Sequence, residues 1–128
     1  MRAAGSVVAV QDVAPEDTKK YGIVSVDDAR QPPRQMRGIV EKPDPSVAPS
    51  RLAVIGRYVF EPEIFDYLAR QEAGVGGEIQ LTDGIAASLA KVPTYAHRYE
   101  GTRFDCGSKQ GFLDATVHFA RKRGFKIN

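Results

Sequence analysis

Proline and glycine divide the first sixty residues into short runs, and most of those runs carry the residues of β-strands. Ser6 to Val13 (SVVAVQDV) opens on β-branched residues and predicts a buried strand, broken by Pro15-Glu16-Asp17-Thr18. Gly22 to Val26 (GIVSV) is a second strand, closed by Asp27-Asp28. Met36 to Glu41 (MRGIVE) is a third, ended at Pro43 because proline cannot donate to a ladder. Leu52 to Phe60 (LAVIGRYVF) is the strongest strand signal, and Gly56 inside it predicts a bulge or a close approach by another group.

The second half alternates. Glu61-Pro62 predicts a helix start, with Ile64, Phe65 and Leu68 on one face. Gly74, Gly76 and Gly77 read as a flexible connection. A second helix is expected from Thr82 as its cap, with Leu81, Ile85 and Leu89 at i, i+4, i+8. Thr94 to Tyr99 alternates as an edge strand would, and Arg103 to Gly107 reads as a short extended piece. A last helix is expected from about Ser108 to Arg123, its apolar stripe drawn from Phe112, Leu113, Thr116, Val117, Phe119 and Ala120. The pattern is α/β, a mixed sheet flanked by helices in one domain or part of one.

The 128 residues suffice for one core, and a net charge of +2 with scattered basic residues argues against a nucleic-acid binder. Arg121, Lys122, Arg123 and Lys126 sit at a helix C-terminus, where cations suit the dipole. Cys106 is the only cysteine, which excludes an intrachain disulfide and reads as a small buried hydrophobe. No apolar run approaches the roughly 18 residues of a membrane span, and the first residues do not resemble a signal peptide. A cytoplasmic location is the resulting expectation. His97, His118, Tyr95 and Tyr99 read as structural, as does Asp83; Glu78 is ambiguous.

Four segments place a charge or a glycine at a strand end or helix start: Lys20-Tyr21-Gly22-Ile23, Glu41-Lys42-Pro43, Gly77-Glu78-Ile79-Gln80-Leu81-Thr82-Asp83 and Phe104-Asp105-Cys106-Gly107. Ligands of open α/β sheets bind at such ends. Alone, Glu41 and Lys42 would read as a solvated pair. Neighbouring strand residues also point to opposite faces, so both reach one ligand only if the backbone turns at Lys42, which Pro43 allows.

Taken together and in order, these segments resemble the C-terminal part of the bacterial UTP–glucose-1-phosphate uridylyltransferases, over Ser6 to about Phe125. The resemblance extends to Leu52-Ala53-Val54-Ile55-Gly56-Arg57-Tyr58, and the related thymidylyltransferases look similar at several of the same positions. It implies the C-terminal part of a Rossmann-like nucleotide-diphospho-sugar transferase fold, and transfer of a uridylyl group from UTP to glucose 1-phosphate. On that resemblance Glu41 binds sugar hydroxyls, and Lys42 is catalytic and places its charge on the sugar phosphate. Gly22, Gly56 and Tyr58 shape the sugar pocket, and Asp105 helps hold Mg²⁺. Asp105 also suits a turn before Gly107 or a cap on the last helix, and both roles stay open.

The family's Gly-x-Gly-Thr-Arg phosphate loop has no counterpart in these residues, so the chain alone is expected to be inactive. The alternatives are a thymidylyltransferase-like fragment, or a non-catalytic module for sugar-phosphate binding or association. The resemblance implies a homo-oligomer, and an exposed sheet edge would add to that tendency.

Overall fold

The runs read as strands form strands, and the breaks between them turn the chain. A computed structural model describes residues 4–73 and 77–128. Of the expected glycine connection, Gly74 and Gly76 lie outside the described residues, and Gly77 has φ +74°. The strands are β1 (Ser6–Asp12), β2 (Gly22–Val26), β3 (Arg34–Glu41), β4 (Leu52–Val59) and β5 (Thr94–Arg98). The helices are α1 (Ile64–Ala69), α2 (Leu81–Ser88) and α3 (Lys109–Lys122). Pro15–Lys20, read as a break, winds into a 3-10 helix with proline at its first turn.

The sheet is mixed. β1 pairs antiparallel with β4 and parallel with β5, while β2 pairs antiparallel with β3 and touches β4 at Ile23 and Ala53. β5 was expected at an edge, yet it also meets β3 through Arg34 and Gln35. Among the described residues every strand therefore pairs on both sides, in the closed order β1-β4-β2-β3-β5. Alternation in Thr94 to Tyr99 shows which residues face the core and carries no information about how many neighbours the strand has.

The core is the inner face of this ring with apolar side chains from α1 and α2. Val8, Val10, Val24 and Leu52 are buried, and Ile64 of α1 and Ile85 of α2 close over them. Gly84 permits that closure, because a Cβ there would sit 2.6 Å from Leu68 Cδ2.

Three expectations about side chains fail. Phe65 is exposed although Ile64 and Leu68 face inward, and α3 buries only Ala115 while Phe112, Leu113 and Phe119 lie open. Cys106 is exposed as well. Periodicity finds the apolar face of a helix, but it cannot say whether this chain supplies the surface to cover it. No helix among the described residues is long and apolar enough to cross a membrane.

Candidate functional site

Gly22 opens β2 directly opposite Glu41, the last residue of β3. The small residue matters there: a Cβ on Gly22 would lie 3.3 Å from Glu41 Oε2 and 3.8 Å from Thr82 Oγ1. The Glu41 carboxylate is held from the other side by Thr82, whose hydroxyl donates to Oε2 at 2.7 Å. Thr82 was expected to cap α2. The cap instead falls two residues earlier, at Gln80, which makes no side-chain bond, and α2 starts at Leu81. The hydroxyl is thus free to bridge to β3.

Gly56 and Tyr58 come to the same place from β4. Three residues of β1 (Val8 to Val10) are matched by five of β4 (Tyr58 to Val54), so β4 bulges around Gly56, where φ is +84°. The expected bulge is present, and it re-aims the strand that carries Tyr58. The Tyr58 ring stacks on Phe60, with centroids 5.0 Å apart. Burial, and secondly the nearby Glu41 charge, raise the Tyr58 phenol above its ordinary range.

A cleft of about 320 Å³ results, and Gly22, Glu41, Gly56 and Tyr58 line it with Tyr21 and Thr82. Four of the six residues singled out by sequence therefore meet in one cleft. A larger hollow of about 710 Å³ runs along α3, but that helix alone lines it, which makes it open surface and not a built site.

Lys42 is not among the cleft's lining residues, but the backbone does turn there. Its φ is +46°, and it is the one non-glycine residue with positive φ among those described. For a lysine this left-handed conformation costs about 1–2 kcal/mol. Its amide donates to Tyr21 O at 2.9 Å. Tyr21 in turn lies beneath Arg103, whose guanidinium carbon is 5.5 Å from the ring centroid.

Asp105 stands apart in the loop before α3. Its Oδ1 accepts from Gly107 N at 3.0 Å, and Ser108 then caps α3 by accepting from Gly111 N at 3.0 Å. The turn role is therefore filled by one carboxylate oxygen. Among the described residues no group of three or more His, Cys, Asp or Glu side chains could hold a metal. Asp105 offers the hard oxygen that Mg²⁺ prefers, as one ligand among several. His118 packs between Phe104 and Phe119 at centroid distances of 5.0 and 5.2 Å, in keeping with a structural role.

One consequence of this geometry is testable by titration. Glu41→Gln removes the smaller of the two causes that raise the Tyr58 phenol. Its pKa should fall in the variant and still remain above that of a free tyrosine. A ¹³C-detected titration of the tyrosine rings checks this, and an unchanged Tyr58 would place the Glu41 charge elsewhere.

The nucleotidyl transferase family model matches residues 1–122. The chain belongs to the nucleotidyl transferase family. It is 45% identical over 111 residues to the UTP–glucose-1-phosphate uridylyltransferase of Pseudomonas aeruginosa, covering 87% of this chain and 40% of that protein. The corresponding enzyme of Bacillus subtilis is 44% identical over 119 residues, covering 93% and 41%. The chain thus spans about two-fifths of the length of the curated relatives it matches. Among solved structures, a UDP-glucose pyrophosphorylase complexed with UDP-glucose superposes with a TM-score of 0.84 at 36% identity, over 92% of this chain and 45% of that one. A putative glucose-1-phosphate thymidylyltransferase from Bacillus anthracis reaches 0.69 at 23% identity, over 98% and 46%, which is a likeness of fold alone. The mixed sheet with its helices is the fold of this family.

Proposed function

We propose that this chain is the C-terminal, sugar-phosphate-binding part of a UTP–glucose-1-phosphate uridylyltransferase. The observation that carries the reading is the cleft in which Gly22, Glu41, Gly56 and Tyr58 converge from three strands. A glucose ring offers neighbouring hydroxyls, and a carboxylate fixed by Thr82 presents acceptor oxygens to them. Tyr58, neutral across the physiological range, adds an apolar wall with a hydroxyl.

In the reaction a phosphate oxygen of glucose 1-phosphate attacks the α-phosphorus of UTP. The new P–O bond forms as the bond between the α-phosphorus and the bridging oxygen to the β-phosphate breaks. Pyrophosphate leaves and UDP-glucose remains. The demand on protein is positioning and charge. Lys42 supplies the cation that lets two anions approach, and Glu41 orients the sugar so that its phosphate lies in line. Mg²⁺ would neutralise charge on the phosphates, with Asp105 as one oxygen ligand. The reading includes a cytoplasmic setting, and association between copies supported by the exposed Phe112, Leu113 and Phe119 of α3. The uridylyl donor is favoured over a thymidylyl one by an identity of 36% to the UDP-glucose pyrophosphorylase structure against 23% to the thymidylyltransferase structure.

The test uses a chimera in which this chain replaces the matching segment of the Bacillus subtilis relative. With UTP, glucose 1-phosphate and Mg²⁺ the chimera should form UDP-glucose, while the 128-residue chain alone forms none. Turnover by the chain alone would contradict the reading of it as a half-site. A folded, inactive chimera would contradict the assignment of the activity.

A further inference from the structure

Thr18 is a buried polar side chain that the proposed chemistry does not use. It is 1% exposed, in the 3-10 helix Pro15–Lys20. Its hydroxyl lies 3.0 Å from Pro15 O, an ordinary local contact, and 3.3 Å from Pro43 O, which is 25 residues away in the chain. A threonine hydroxyl has one proton, so the two carbonyls share it. The Pro43 contact is the informative one. Pro43 is buried, and among the described residues Thr18 is the one hydrogen-bond donor to its carbonyl.

The contact is the last of three that join the same two segments. Gly22 pairs with Glu41, Tyr21 O accepts from Lys42 N at 2.9 Å, and Thr18 Oγ1 donates to Pro43 O. Lys42, in the middle, holds the left-handed conformation with φ +46°. A strained backbone of this kind persists only where its surroundings fix it from both sides. The ladder and Tyr21 O fix it from the N-terminal side, and Thr18 is the one side chain among the described residues that bonds to Pro43 on the C-terminal side. We infer that Thr18 is a positioning residue: its hydroxyl pins Pro43 and so sets the turn that brings Lys42 out of line with β3 beside Glu41. The inference rests on the glucose 1-phosphate reading for its functional consequence, though not for the geometry.

The experiment compares Thr18→Val, which keeps the shape and loses the hydroxyl, with Thr18→Ser, which keeps the hydroxyl. Two quantities are read on the 128-residue chain: hydrogen exchange at the Lys42 amide, with the core amide of Val10 as reference, and affinity for glucose 1-phosphate. Thr18→Val should speed exchange at Lys42 about tenfold while Val10 changes less than twofold, and should weaken glucose 1-phosphate by a similar factor. Thr18→Ser should restore both. Unchanged exchange at Lys42, equal loss at Val10, or a serine variant as impaired as the valine one would each overturn the inference. If the wild-type chain binds no glucose 1-phosphate, the functional reading fails by itself, and exchange at Lys42 still decides the role of Thr18.

Discussion

Replacing Lys42 by alanine is expected to cut kcat/KM of the chimera about 100-fold or more, with Glu41→Gln costing about tenfold. The difference follows from what each group meets. A cation placed on charge that crowds together in the transition state is worth several kcal/mol, in the range of a lost oxyanion donor. A glutamate that accepts from sugar hydroxyls is partly replaced by glutamine, which keeps one acceptor oxygen. The Lys42 loss should fall mainly on kcat and the Glu41 loss mainly on KM. Equal losses in kcat would mean that both side chains only bind. The left-handed turn at Lys42 supports the separation, because two adjacent residues of a regular strand would have faced opposite ways.

Gly111→Ala should destabilise the chain by about 1–3 kcal/mol and lower its melting temperature by several degrees. Helix propensity predicts the opposite sign, since alanine inside a helix is favoured over glycine by about 1 kcal/mol. Packing decides here. A Cβ on Gly111 would be driven into the backbone carbonyl of Asp105, and its next contact, Ser108 Oγ at 2.9 Å, is the cap of the same helix. Neither is the far end of a flexible side chain. The variant must open the Asp105 turn or the first turn of α3, so shifted amides from Asp105 to Gly111 should accompany the lower melting temperature. A higher melting temperature would show that the loop yields and that its geometry is not fixed.

Strand positions were legible because β-branched runs between prolines leave little choice: β2 and the start of β4 lie where Gly22 to Val26 and Leu52 predict them. Ring closure was not legible, since the pairing of Arg34 and Gln35 with β5 leaves no mark in either segment. The cleft residues were found through resemblance, and local chemistry alone would have left Glu41 and Lys42 as a surface pair. Thr82 illustrates the limit. A threonine before a helical run is an N-cap by every local rule, and only the fold shows that its hydroxyl serves a glutamate 41 residues away. Thr18 left even less signal, because nothing in the sequence PEDTKK distinguishes a hydroxyl that holds a distant carbonyl from one that holds its own turn. Cys106 and Phe65 were misplaced for the converse reason: composition assigns apolar residues to an interior that these positions do not reach.

The most direct test of the central claim is a titration of the isotopically labelled chain with glucose 1-phosphate, followed at every backbone amide. The account predicts saturable shifts concentrated at Gly22, Glu41, Lys42, Gly56, Tyr58 and Thr82, with inorganic phosphate moving Lys42 and leaving Gly56 and Tyr58 in place. Shifts confined to the α3 surface, or the same cleft response to phosphate alone, would contradict a sugar site between β2, β3, β4 and α2.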